Sequence, residues 1–513
     1  MVNTALARFA RSGIPMWVIG AALLVTWTLT AAAPPRRHLL IVVDGLRPDY
    51  VTPGVMPRLT ALGKRGVVFR HHHSVYPTVT RVNASSISTG AYPDTHGLLG
   101  NSVFFPKIDP RRFLDTADRE NLVKIAETEG RLLTAPTLGE TLQASGRKLL
   151  VVSSGSTGSA FLNNSTVAGG AILHYEYTLP AELGAVMKDA IGPAPDRNAY
   201  AALDHYAVDA FLKVGIPRVD PTVTVMWLSG LDSTAHSKGI GDPATVDILR
   251  HVDGEIGRIE DSLRSAGLLD TYDIWVTSDH GFSTHTGAAD LASILKPFAG
   301  ALPDGTPRIV SSEGAIYVRD GDEATVAAIV KTLQGTRGVG AIFTPAQQPG
   351  SFDGRVPGTL SFEAIHWTHA RSAQILFSPD WTDDANAHGM RGAVASGGTA
   401  GHGSSSPWDV HNTLIAAGPD LKQGVSIDVP SANVDFTPTF LTLLGLAIPP
   451  SVEGRPLRDA FVDGPAPATL AVRTLEHAVA SDDKSYSATA SFSIVTSEGR
   501  EYRYFDQARA IRR

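Results

Sequence analysis

Acids and imidazoles recur along this chain at spacings suited to holding cations. In GLDSTAHSKG, Asp232 and His236 stand one helical turn apart, so both side chains can face one ion. In VTSDHG, Asp279 and His280 are adjacent at the end of an apolar run, and in HLLIVVDG a similar run leads into Asp44. His402 lies between glycines in AGHG, a loop that reads as adjustable enough to bring a ligand down onto a site. Carboxylates gathered in one place repel one another unless positive charge lies among them, and divalent metal ions supply it best. The chain has no cysteine. Thiolate ligands, a catalytic thiol and a cysteine-derived aldehyde are therefore excluded, and any zinc site must be built from histidine and carboxylate. A hydroxyl candidate lies in YPTVTR, where Thr80 opens a segment that reads as helical to Thr89 and stops at Gly90. The positive end of a helix dipole favours an alkoxide there, and a bound cation lowers its pKa further. An ordinary N-cap is the alternative role for Thr80.

These groups need a frame that delivers them to one place. Near-continuous apolar runs at 38–45, 148–155, 222–232, 273–281, 372–380 and 412–420 read as strands covered on both faces. Between two of them, Leu249, Val252, Ile256, Ile259 and Leu263 form one apolar stripe on a helix that ends near Gly267. Strand and helix in alternation predict an α/β fold, a mostly parallel central sheet flanked by helices on both faces. Such sheets place ligands beyond the carboxyl ends of their strands. Asp44, Asp232 and the Asp279-His280 pair all fall there. The 513 residues, 43% apolar and 19% charged, suit one large globular domain with appendages. A net charge of −7 with no basic stripe argues against binding a nucleic-acid duplex.

Asp44 in VVDGLRPDY, Thr80 in YPTVTR, GAYPDTHGLLGN, the D-x-x-x-H pair, SDHG and AGHG come in the order found in the alkaline phosphatase superfamily. Over about residues 37 to 460 the chain most resembles its nucleotide pyrophosphatase/phosphodiesterase branch. That resemblance implies an alkaline-phosphatase-like fold and two zinc ions, with manganese as the alternative metal. One ion would be held by Asp232, His236 and His402, the other by Asp44, Asp279 and His280 with the Thr80 hydroxyl as a further ligand. It implies attack by Thr80 on a small-molecule phosphoester and a phospho-threonine intermediate. It also implies that Asn101, closing GLLGN, donates to a non-bridging phosphate oxygen together with the Thr80 amide. A neutral donor suits the single charge of a diester, where a phosphomonoesterase tends to place an arginine. The run Thr80-Arg81-Val82-Asn83 departs from the family, whose nucleotide-acting members commonly carry Thr-Phe-Pro-Asn. Arg81 is thus a substrate-binding candidate that can stack on a base or reach an anion, with a solvent-exposed position at the helix start as its other reading. Phosphonate, monoester or phosphotransfer chemistry on the same metals are the alternatives. A sulfatase, or a metal-binding envelope protein without activity, is more distant.

The remaining features are peripheral. Residues 1–33 carry Arg8 and Arg11, an apolar run from about Ile14, and small residues before Pro34. They read as a secretory signal or an uncleaved membrane anchor. Either puts the body outside the cytoplasm, periplasmic or secreted, with membrane contact only through that segment. The catalytic domain is expected over 37–463. Residues 464–513 read as a linker, PAPATLAVRT, followed by a small β hairpin turning at Ser497-Glu498-Gly499. His71-His72-His73 reads as a surface run, His96 and His411 as packing or supporting residues, and Arg47 with Asp49 as an ion pair shaping the loop after Asp44.

Overall fold

Alternate side chains of the Arg37–Val43 strand enter two different cores. Leu39, Ile41 and Val43 join one buried cluster, while Leu40 and Val42 join the other. A strand covered on both faces has no polar side, which is why its sequence does not alternate. The computed structural model describes residues 36–167 and 169–513. The expectation for residues 1–33 lies outside them. No helix among the described residues is long and apolar enough to cross a membrane.

Five neighbours in the central sheet run parallel: Ala171–His174, Leu149–Ser153, Val223–Leu228, Arg37–Val43 and Tyr272–Thr277. The sheet continues past Tyr272–Thr277 through His411–Ala417, which is antiparallel to it, and then Val67–His73 and Val425–Ile427. The helix Pro243–Ser265 buries Leu249, Val252, Ile256, Ile259 and Leu263 against one face. The Asp242 side chain accepts from the Ala244 amide at its start, and Gly267, at φ +68°, follows its end.

Three expectations need correction. The 372–380 run supplies Ile375–Pro379, but to a separate five-stranded sheet, where it pairs antiparallel with Ala315–Val318 and Val339–Thr344. An apolar run records that a strand is buried, not which sheet buries it. The C-terminal segment is a three-stranded antiparallel sheet rather than a hairpin. Its first strand, Ala471–Ala480, begins inside the stretch that reads as linker and pairs along its length with Tyr486–Ser497. That strand is largely exposed, so no core pattern marks it. The turn into Arg500–Arg512 has Glu498 at φ +51° and Gly499 at φ +79° between the paired Ser497 and Arg500. Finally, His72 and His73 are buried, because Val67–His73 is an interior strand. His72 bonds Ser431 and Asn433, and burial drives its pKa down to about 3. His73 Nε2 lies 2.8 Å from Asp506.

One buried ionic group ties the C-terminal sheet to the body. Arg455, 1% exposed, pairs with Asp459 at 2.6 Å, and its amide donates to Asp435. Asp435 also accepts from the Tyr504 hydroxyl of the last strand. Arg455→Leu strands two buried carboxylates and is expected to cost about 3–5 kcal/mol, read as a lower urea midpoint at unchanged slope.

Candidate active site

The strand ends deliver the acids, and backbone bonds then aim them. Asp44 follows Val43, and its Oδ2 accepts from Trp227 Nε1 at 2.8 Å and Ser229 Oγ at 3.3 Å. The Gly45 amide donates to Asp279 Oδ1, and the Leu46 amide to Ser278 Oγ, so the turns after two neighbouring strands are stitched together. Gly281 lets the chain pass against the Trp408 carbonyl, into which any Cβ there would collide. With one oxygen of Asp44 and one of Asp279 engaged, Asp44 Oδ1 and Asp279 Oδ2 are buried without a hydrogen-bond partner, as is Asp232 Oδ1.

Three imidazoles face those orphan oxygens in the same way. His236, His280 and His402 each turn Nδ1 to a backbone carbonyl, those of Ala400, Gly281 and Thr78, at 2.9 Å. A carbonyl only accepts, so Nδ1 carries a proton, and Nε2 is the nitrogen that can give a lone pair to a cation. His280 Nε2 lies 3.0 Å from Asp279 Oδ2 and 3.4 Å from Asp44 Oδ1. Nε2 of His236 and of His402 lies 3.2 and 3.6 Å from Asp232 Oδ1. Two groups of three potential ligands result: Asp44, Asp279 and His280, and Asp232, His236 and His402. They adjoin, since the His280 and His402 rings stack 3.4 Å apart.

The electrostatics of the protein alone call for positive charge here. Burial, then the Asp279 and Asp232 charges, raise the Asp44 pKa well above the carboxylate range. Burial opposes a charged His280, but Asp279, Asp44 and Asp232 outweigh it and push it up to about 10. Burial, then His280, holds its stacking neighbour His402 well below the usual imidazole value. Orphan oxygens and fixed lone pairs in this arrangement fit two small divalent cations.

Thr80 is the first residue of the helix Thr80–Thr89, after an N-cap, Val79, whose side chain makes no capping bond. Thr80 is therefore not the cap. Its hydroxyl, almost buried, lies 3.3 Å from His280 Nε2. The turn before it is strapped by Asn83, whose side chain bonds both backbone groups of Val75 and the Val79 carbonyl. Asn433 bridges Asn83 to the Asp279 carbonyl. The Arg81 amide donates to Asn101 Oδ1 at 3.0 Å, which turns Asn101 Nδ2 outward as a donor. Arg81 lines a cavity of about 250 Å³ with Asp44, Thr80, Tyr175, Arg197 and Asp232. Its Nε is buried without a partner.

The His402 loop is pinned rather than adjustable. Thr78 Oγ1 bonds Gly403 and Ser404, and buried Asp409 accepts from the Ser404 amide and hydroxyl. Arg47 forms a bidentate pair with Asp49 and also donates to the Phe282 and Arg391 carbonyls, which fixes the loop after Asp44. His96 bonds Ser86, and His411 packs on His73; neither is in the two ligand groups.

Sequence reasoning missed Asn83 and Asn433, and also Glu313. The hairpin joining Ile309–Ser312 to Ala315–Val318 reaches the site, and the Glu313 carboxylate accepts from the Asn101 and Ser102 amides at 3.1 Å. Glu313 holds φ +49°, a conformation costly for a residue with a side chain. Glu313→Gly removes the carboxylate while easing the backbone. Its expected result is kcat lowered about tenfold at unchanged metal content and undiminished thermal stability, measured by steady-state kinetics and calorimetry.

The chain matches the type I phosphodiesterase / nucleotide pyrophosphatase family over residues 38–392. It is 26% identical to human ectonucleotide pyrophosphatase/phosphodiesterase family member 1 over 251 residues, 48% of this chain and 23% of that protein. Over 91 residues, 18% of this chain and 20% of the other, it is 33% identical to human bis(5'-adenosyl)-triphosphatase. The alignments to these two thus span about a quarter or less of their length. Murine ectonucleotide pyrophosphatase/phosphodiesterase 5 shares the fold at a TM-score of 0.59 and 17% identity, covering 83% of this chain and all of that one. The family match spans most of the chain: this chain belongs to the type I phosphodiesterase / nucleotide pyrophosphatase family.

Proposed function

We propose that this chain is an extracytoplasmic phosphodiesterase that cleaves phosphodiester or pyrophosphate bonds through Thr80, with two zinc ions at the paired ligand groups. The observation that carries the reading is the common aim of three imidazoles. Each has Nδ1 fixed by a carbonyl and Nε2 turned onto an orphan carboxylate oxygen, beside a threonine hydroxyl with no structural duty. Asp44, Asp279 and His280 would hold one ion next to Thr80, and Asp232, His236 and His402 the other. Bound there, the ions supply charge neutralisation for the phosphate and polarise the attacking and departing oxygens.

The chain's own residues do the rest. The Thr80 amide, in the first turn of its helix, has no carbonyl four residues back to bond and is free for a phosphate oxygen. Asn101 Nδ2 is held ready for another by the Arg81 amide on Oδ1. The Thr80 hydroxyl gives its proton to solvent, its oxygen forms a bond to phosphorus, and the bond to the departing oxygen breaks, that oxygen leaving with the bonding pair and taking a proton from solvent. Water then attacks the threonyl phosphate and frees Thr80. Neutral Asn101 favours a singly charged diester over a monoester. A related murine protein, in an inactive form, has been solved in complex with AMP, which supports a nucleotide or other small phosphoester as substrate here. The N-terminal segment supports export. Purified protein is expected to hydrolyse bis-p-nitrophenyl phosphate faster than p-nitrophenyl phosphate or phosphonoacetate; the reverse order sinks the diesterase reading.

A further inference from the structure

A second cavity, of about 430 Å³, opens on the other edge of the ligand groups, lined there by Asn101, His236 and His402 but not by Thr80. That is an ordinary volume for a small-molecule site. Its far wall is aromatic: Phe104, Phe113 and Tyr317 form a triangle with ring centroids 5.0–5.7 Å apart. The polar tips of the wall residues are already used. The Tyr317 hydroxyl donates to the Arg371 carbonyl and Trp367 Nε1 to the Leu99 carbonyl. Arg371 donates to the Gly97 and Leu132 carbonyls and lies over the Phe105 ring, while Glu313 is occupied by Asn101 and Ser102. What the wall presents to an occupant is aromatic surface, with Arg319 lying over the Phe104 ring.

In-line displacement puts the departing oxygen opposite the attacking one across phosphorus. With Thr80 on the His280 side, departure is toward His236 and His402, the edge on which this cavity opens. We propose that the cavity receives the leaving half of the diester, and that this half is an alcohol bearing an uncharged aryl or compact apolar body. The polar cavity lined by Thr80, Arg81, Tyr175 and Arg197 is left for the retained half. This assignment rests on Thr80 as the attacking group.

The test is the product partition of methyl 3-phenylpropyl phosphate with zinc-supplemented protein. Thr80 attack that expels the aryl alcohol gives 3-phenylpropanol and, after hydrolysis, methyl phosphate. The opposite orientation gives methanol and 3-phenylpropyl phosphate. The expected ratio of 3-phenylpropanol to methanol is about ten or more, from the transfer free energy of the buried ring. Phe113→Ala and Tyr317→Ala each bring it toward unity. A ratio read within one reaction is insensitive to the folded fraction of a variant. A ratio near unity in the parent protein, or a preference that survives both substitutions, overturns the cavity assignment and leaves the diesterase reading standing. Failure to cleave either this ester or bis-p-nitrophenyl phosphate overturns both.

Discussion

Thr80→Ala is expected to lower kcat for bis-p-nitrophenyl phosphate about a thousandfold or more, with zinc content and melting temperature unchanged. The expectation is sharp because the side chain has no other employment. It does not cap its helix, and its hydroxyl has one neighbour within hydrogen-bond reach among the described residues, His280 Nε2. The turn that presents it is held by Asn83 and Asn433 instead. Removing the hydroxyl therefore deletes the attacking atom and little else. Thr80→Ser, which restores the oxygen without the methyl group, should recover much of the rate, and acid quenching during turnover should trap a p-nitrophenyl phosphoryl group on residue 80 in the parent and in Thr80→Ser but not in Thr80→Ala. Near-parental activity in Thr80→Ala would remove the proposed nucleophile.

Chelation is the second large effect. Metal analysis of purified protein should find about two zinc per chain, and exhaustive chelation should abolish hydrolysis and lower the melting temperature by about 5 °C or more. Without cations, Asp44 and Asp279 face each other in a buried site with His280 as their one charged partner, and His402 stacks on that same ring. Any species that binds the folded state and not the unfolded one stabilises by mass action, so readded zinc should restore both readings. Acid should mimic the chelator, because the proposed ligands would bind metal through deprotonated carboxylates and imidazole lone pairs. Asp279→Asn should lose metal from the buried group first. Activity and melting temperature both indifferent to chelation would end the metal reading.

The fold class could be read from the sequence because both-face burial leaves near-continuous apolar runs, and the proposed acidic ligands could be picked out because Asp44, Asp232 and Asp279 follow those runs. What could not be read has specific causes. His72 and His73 look solvated in sequence, yet lie within an interior strand where Ser431, Asn433 and Asp506 satisfy them. Ala471–Ala480 is exposed along most of its length and carries no core pattern. Asn433 and Glu313 act through bonds spanning large stretches of chain, and nothing local distinguishes a bridging asparagine, or the turn-strapping Asn83, from a solvated one.

The Glu313 contact has a mechanical consequence. The donor side chain of Asn101 is gripped from two bodies, by the Arg81 amide of the core and through its own backbone by the tip of the five-stranded sheet. Tilting that sheet by a fraction of an ångström would drag the donor off its target without disturbing a single ligand. Substitutions in the core of that sheet at Ile316 and Ile342 should then throttle turnover as a lever does, at unchanged metal content.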